Sequence, residues 1–211
     1  MRRPSGLKLA VMFLLCAALA LPPTVALAVF TCGAPSPEKQ KGTDLYTDHP
    51  VPKIPRQQKK IISRFFSTLG GDWRGTYVRI DCVDGEHGLV PKESRFVANV
   101  TVTWTNNQIL HLELRRGRAQ LDIERIFYAF SDGFLREERD LIGQEAHVLL
   151  ATDKQLKVYR RFGQRVAARV LPQEVITTLH RHGREFELTR LIYMNGELYH
   201  RQYWRLHRIP G

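Results

Sequence analysis

The chain has 211 residues, 43% of them apolar, with 32 Lys and Arg against 21 Asp and Glu and a formal charge of +11. That length leaves room for one domain with a real core rather than for several. A basic excess of this size attracts anionic lipid, polysaccharide or nucleic acid without specificity, but the charges are scattered rather than run together, as on an ordinary solvated surface.

The first 28 residues read as a secretory signal peptide: a positive "MRRPSGLK", an apolar "LAVMFLLCAALAL", and a small-x-small ending at Ala26 and Ala28. The apolar run is short for a spanning helix, which needs about 20 residues. Cleavage after Ala28 is favoured over an uncleaved anchor. Arg2-Arg3 hints at a twin-arginine signal, but its flanks favour a Sec-type one. Cys16 and Cys32 lack the small residues that precede a lipoprotein cysteine, which disfavours a lipid anchor. Cleavage removes Cys16 and leaves Cys32 and Cys82, an even pair that in an exported chain reads as one disulfide. Closing a loop of about 50 residues stabilises by about 4 kcal/mol in the chain-entropy account; the alternative is two unpaired thiols. No C-x-x-C is present, so a redox-active role is not expected. Loss of Arg2, Arg3 and Lys8 takes the 32 basic residues to 29 against 21 acidic ones. The expected location is secreted or periplasmic, which makes nucleic acid a poor partner and leaves an anionic membrane surface or polysaccharide as candidates.

Residues 29–55 carry Pro35, Pro37, Pro50, Pro52 and Pro55 among polar neighbours, and read as an extended or mobile leader that cannot fold alone. Cys32 would tie it to the domain at Cys82. In "RQQKKIISRFFSTLGG", Ile61, Phe65 and Leu69 fall at i, i+4 and i+8, flanked by Ile62 and Phe66, which makes one apolar stripe on a short helix ended by Gly70-Gly71. This helix opens the main domain, residues 56–211.

From Trp73 onward the chain is rich in strand signals. "RFVANVTVTW" alternates strictly, with Phe96, Ala98, Val100, Val102 and Trp104 on one face. After the turn "TNNQ", "ILHLELR" groups Leu110, Leu112 and Leu114. Further strands are expected at 119–130, 145–151, 155–162, 164–171, 174–181, 185–194 and 197–208. Their joints hold Asp132-Gly133, Gly143, Asp153, Gly163, Gly183 and Asn195-Gly196. Segment 134–142 is readable as a strand or as a helical turn. Many short antiparallel strands in series leave a sandwich or a closed barrel.

The helix followed at once by Gly71-Asp72-Trp73 resembles the calycin superfamily, which comprises lipocalins, fatty-acid-binding proteins and nitrobindin-like barrels. The fuller "GDWRG" is similar to the nitrobindin-like opening. The resemblance implies an all-β fold: a single antiparallel up-and-down β-barrel of about 8–10 strands, with a short N-terminal helix closing one end. It implies that Trp73 plugs that end beside Gly71, and that a late arginine in "YWRLHR", Arg205 or Arg208, packs across the indole. No C-terminal helix is expected after the strands, unlike lipocalins, which favours a shorter ten-strand barrel or an unassigned lipocalin-like family.

Asn195-Gly196 between two β-rich runs is the strongest short hairpin signal. A two-residue turn there pairs Met194 with Glu197, Ile192 with Tyr199, Arg190 with Arg201, Leu188 with Tyr203 and Phe186 with Arg205. The face carrying Phe186, Leu188, Ile192, Met194, Tyr199 and Tyr203 is the more apolar and is expected to point inward. Arg190 opposite Arg201 is unfavourable unless something negative lies between them. A carboxylate or phosphate ligand would supply it, and Arg201-Gln202-Tyr203 resembles the Arg-x-Tyr by which fatty-acid-binding proteins grip a carboxylate. Arg190, Arg201, Tyr203 and Tyr199 are therefore the candidate ligand-binding residues. The alternative is that these arginines are solvated or paired within the protein.

His180 and His182 share a strand face and His200 is a possible neighbour, but a turn-proximal polar pair is a commoner arrangement than a zinc or copper site. Haem, by analogy with nitrobindin-like barrels, needs an inward histidine, and His200 falls on the less apolar face. Asn99-Val100-Thr101 is a glycosylation sequon, meaningful only in a eukaryotic secretory pathway. No Gly-x-Ser-x-Gly, His-Glu-x-x-His, phosphate loop or EF-hand loop is present. The expected protein is an exported barrel holding a small hydrophobic or anionic amphiphilic ligand such as a fatty acid, without catalysis, metal or cofactor. The alternatives are an envelope structural or interaction module with a side-chain-filled barrel, and then a haem-binding or enzymatic barrel.

Overall fold

The structure is a computed structural model that describes residues 30–47, 50–106, 108–117, 122–139 and 142–210. The signal-peptide reading of residues 1–28 lies outside the described residues. Within them run helices α1 (Pro37–Gln40) and α2 (Arg56–Leu69) and strands β1 (Gly71–Gly85), β2 (Gly88–Thr105), β3 (Ile109–Arg116), β4 (Ile123–Ser131) and β5 (Phe134–Arg139). Strands β6 (Ile142–Ala151), β7 (Gln155–Val166), β8 (Arg169–His182), β9 (Glu185–Met194) and β10 (Glu197–Arg208) follow. All neighbours in sequence pair antiparallel, and β1 pairs with β10, so the ten described strands close into one up-and-down barrel. Of the ambiguous segment 134–142, Phe134–Arg139 is β5 and Ile142 begins β6; residues 140 and 141 lie outside the described residues.

Helix α2 owes its place to burial rather than to its ends. Pro55 at its N-cap makes no side-chain cap bond, and its first turn carries no acid to complement the positive end of the helix dipole. Ile62, Phe65, Phe66 and Leu69 are fully buried instead, each gaining about 2 kcal/mol from removal of apolar area from water. Phe66 reaches the rings of Trp104, Tyr128 and Phe130 at 5.4, 5.8 and 6.4 Å, so the helix stoppers this end of the barrel.

Trp73, beneath the helix, is fully buried and donates its indole N–H to the Leu69 carbonyl at 2.8 Å. The arginine across its ring is Arg208, whose guanidinium lies 5.5 Å from the ring centre and also donates to the Gly70 carbonyl. Arg205, the other candidate for that role, points outward with a 55% exposed side chain, 3.5 Å from Glu185. The reason is strand parity: Arg205 alternates with the buried Trp204 and Leu206, so it falls on the outer wall. Gly71 has φ +124, and a Cβ there would sit 3.1 Å from Arg208 Nη2. Gly75 has a different reason: a Cβ would fall 2.0 Å from the Arg205 carbonyl oxygen, so β1 and β10 can close the barrel only across a glycine.

Two turn signals are placed differently from expectation. Gly163 was expected to separate two strands, but it lies within the β7–β8 ladder opposite Pro172, and the hairpin turns at Ala167, which takes φ +52. Pro172 fits because its carbonyl accepts from the Asn195 amide, so its nitrogen faces the same side, past the end of the β8–β9 ladder, where no donor is required. The Asn195-Gly196 hairpin begins as expected, with Glu197 opposite Met194 and Leu198 opposite Tyr193, but then Tyr199 is left unpaired as a β-bulge. His200 faces Ile192, Gln202 faces Arg190, Trp204 faces Leu188 and Leu206 faces Phe186. The extra residue has a cause on each side of the wall: Leu198 is buried outside beneath the leader, while Trp204 and Leu206 are buried within.

The leader is pinned, not loose. A disulfide joins Cys32 to Cys82. The Gly33 amide donates to the Leu198 carbonyl at 2.9 Å, the Leu198 amide to Ala34 at 2.8 Å, and the Ser36 amide to Gly196 at 2.7 Å. The β1–β10 ladder ends at Asp81 opposite His200, so residues 33–35 take β1's place beside β10 where β1 departs. Ser36 then caps α1 through Lys39. Farther on, Arg161 donates to the carbonyls of Asp44 and Thr47, and the Ile54 amide to Gly133 at 2.7 Å.

Candidate functional site

Inward positions divide the interior into two halves. Towards α2 it is filled by Trp73, Trp204, Phe186, Leu188, Leu110 and Leu112, all essentially buried. Towards the opposite end the same inward faces turn polar. Glu124, Glu137, Arg160 and Arg190 stand on β4, β5, β7 and β9, and Arg116 ends β3. They form an alternating chain across the barrel. Arg160 Nη2 lies 2.8 Å from Glu137 Oε1, which is 3.3 Å from Arg190 Nη2. Arg190 Nη1 lies 2.5 Å from Glu124 Oε1, and Glu124 Oε2 is 3.6 Å from Arg116 Nη1. Arg116 also meets Asp122 at 2.6 Å and the Tyr77 hydroxyl at 3.2 Å. The Arg190 and Glu137 side chains are 1% and 0% exposed. Burial works against the Arg190 charge, but the Glu124 and Glu137 carboxylates outweigh it and hold the guanidinium firmly protonated. Burial, with Glu137 beside it, pushes the Tyr128 phenol well above its ordinary range.

The chain of charges floors a cavity of about 510 Å³ at the open end. Its lining combines Arg160, Arg165 and Arg190 with three glutamines and an apolar strip of Phe162, Val175 and Ile192; no carboxylate lines it. The Nε atoms of Arg160 and Arg190 are buried and have no hydrogen-bond partner among the described residues. Arg160 and Arg190 thus line the cup with their counter-charges, Glu137 and Glu124, behind them, and Arg165 adds an exposed cation at its mouth.

Of the four expected ligand residues, Arg190 alone faces this interior. Tyr199 is the bulged residue and is half exposed, while Arg201 and Tyr203 lie on the outer wall, where the Tyr203 hydroxyl donates to Glu187 at 2.8 Å. That bond and burial push the Tyr203 phenol up to about 12, burial being the larger cause. Arg190 does not face Arg201: the bulge puts Gln202 opposite it, and the anions it needs are Glu124 and Glu137. These two glutamates and Arg160 went unassigned in the sequence. Their signal was a charge at even spacing on an apolar strand face: Glu124 with Ile126 and Tyr128, Glu137 with Leu135, Arg160 with Leu156 and Val158.

His200 also faces inward, not outward, with Nδ1 2.5 Å from Asp81 Oδ1 directly across the β1–β10 ladder. Burial lowers its pKa in spite of that carboxylate. It does not line the cup, and the α2 half is filled, so the described residues do not fit a haem. His180 lies outside, 3.9 Å from Glu187, and no group of three His, Cys, Asp or Glu among the described residues could hold a metal ion. Asn99 of the sequon is exposed on the outer wall.

Fold and site together define a closed, helix-stoppered barrel with a cationic cup at its open end. No protein-family model matches the chain, and no curated protein matches it.

Proposed function

We propose that this is an exported barrel that binds a small anionic amphiphile at its open end, in the cup and not along the whole barrel axis. The observation that carries this is a lining with three arginines and no carboxylate beside a strip of Phe162, Val175 and Ile192. A carboxylate or phosphate head would take charge-assisted bonds from Arg160 and Arg165. An alkyl body laid on the strip would gain about 25 cal/mol for each Å² of apolar surface removed from water. The Cys32–Cys82 disulfide supports an oxidising compartment, secreted or periplasmic. The filled α2 half supports a second reading, an envelope module whose barrel is packed by its own side chains.

Calorimetric titration with decanoate and with decanol separates the two. The cup reading requires decanoate to bind, decanol to bind at least about tenfold more weakly, and Arg165→Gln, at an exposed position, to weaken decanoate by about tenfold. Absence of heat with both ligands, together with no co-purifying small molecule by native mass spectrometry, supports the packed module instead.

A further inference from the structure

Beyond Pro172, which is buried and whose carbonyl accepts from the Asn195 amide, β7 and β8 continue as a hairpin of three rungs, from Gln164 opposite Leu171 to Val166 opposite Arg169. At about 3.3 Å per residue this arm projects roughly 10 Å past its neighbours. Every residue from Gly163 to Val170 is exposed. From Arg160 to Gln173 the chain carries Arg160, Arg161, Arg165 and Arg169 and no acidic residue. At the tip, Val166 lies opposite Arg169 and Arg165 opposite Val170, so each face of the hairpin shows one cation beside one valine. Val166 is 43% and Val170 62% exposed. Tyr46 of the leader, 67% exposed, lines a small groove with Val170 and Pro172 on the same side.

We infer that the β7–β8 tip docks the open end of the barrel onto a bilayer containing anionic phospholipid. Valines that alternate with arginines on a short rigid arm match an interface whose outer layer is anionic and whose next layer is apolar. Arg165 and Arg169 would meet phosphates, while Val166 and Val170 enter the headgroup boundary; Tyr46 stays at the base of the arm, its hydroxyl donating to Asn195 at 3.2 Å. The outer wall carries no continuous apolar band among the described residues: charged positions such as Arg74, Glu113, Arg125 and Arg205 interrupt its exposed apolar ones, the reverse of a barrel that faces hydrocarbon. The contact is therefore peripheral and made by the tip. It brings the cup mouth, to which Arg165 belongs, against the membrane, and it stands independently of what the cup holds.

The test is co-sedimentation of the protein as purified with vesicles of phosphatidylglycerol and phosphatidylcholine, or of phosphatidylcholine alone. Two exposed double variants are compared with it, Arg165→Gln/Arg169→Gln and Val166→Ser/Val170→Ser. The parent should partition onto the anionic vesicles and much less onto neutral ones. The arginine pair should lower that partition by about thirtyfold, and the valine pair by about tenfold. Equal sedimentation of the parent and both variants, or no sedimentation of the parent, overturns the inference. So does a loss confined to the arginine variant with full competition by a soluble sulfated polysaccharide, which would make the tip a polyanion site rather than a membrane one.

Discussion

Arg208 lies with its guanidinium 5.5 Å over the ring centre of Trp73, which ties the last residue of β10 to the first turn of β1 at the stoppered end. The same side chain donates to the Gly70 carbonyl between α2 and β1. Arg208→Ala should lower stability by about 1 kcal/mol, the scale of a partly exposed cation–π contact with one hydrogen bond. Arg205→Ala, whose surface ion pairs are worth little, should change it by less than about 0.5 kcal/mol. Thermal denaturation of the two variants checks the order, and the reverse order contradicts the assignment.

The buried chain of charges makes a sharper demand. Glu137→Gln leaves Arg160 and Arg190 competing for less buried anion and should cost about 3–5 kcal/mol, the scale for removing one partner of a buried pair. Arg160→Met/Glu137→Gln, which removes one charge of each sign, should recover much of that loss. Urea denaturation of the single and double variants measures the coupling. Additive losses would mean that the two residues do not act on each other.

The fold was legible where parity and turn chemistry agreed. The helix of Phe65 and Leu69, the alternation from Phe96 to Trp104, and Asn195-Gly196 all lie where the pattern placed them, although the buried stripe of the helix is completed by Ile62 and Phe66, while Ile61, expected at its start, is only half-buried. The site was less so. One extra residue at Tyr199 exchanges the faces of everything after it, and nothing in "ELYHRQYW" marks the bulge, because Leu198 and Trp204 are both apolar and are buried on opposite sides of the wall. Glu124, Glu137 and Arg160 show as charges on apolar faces, but only closure of the barrel brings four strands together around Arg190. The leader's proline content hid a different fact, that its backbone hydrogen bonds go to Gly196 and Leu198.

The disulfide pins that leader where β1 leaves β10, next to the backbone bonds of Gly33 and Ala34 to Leu198. Reduction should lower stability by about 2–5 kcal/mol. Before global unfolding it should raise hydrogen exchange at the Gly33, Ser36 and Leu198 amides, while those of Trp204 and Leu206 stay protected. Unchanged exchange at the first three after reduction would mean that the backbone bonds alone hold the segment.

Acid should act through His200. Its folded-state pKa lies below the unfolded value of 6.5 because burial penalises the imidazolium, an effect that the Asp81 carboxylate opposes without overcoming. Between the two values the unfolded chain binds more protons, so stability is complete above about pH 6.5 and declines as the pH falls towards the folded-state value. His200→Gln should remove this part of the acid dependence. Denaturation midpoints between pH 5 and 8 decide it, and an identical slope in the variant assigns the effect to other groups.

The central claim, an anionic amphiphile held in the cup at the open end, is tested most directly by amide chemical-shift changes during titration with decanoate. The expected result is a saturable set of shifts at Arg160, Phe162, Gln173, Val175 and Ile192, with Trp73, Leu110 and Phe186 unmoved. Shifts confined to the outer-wall residues Arg201 and Tyr203, or none at saturating decanoate, would contradict it.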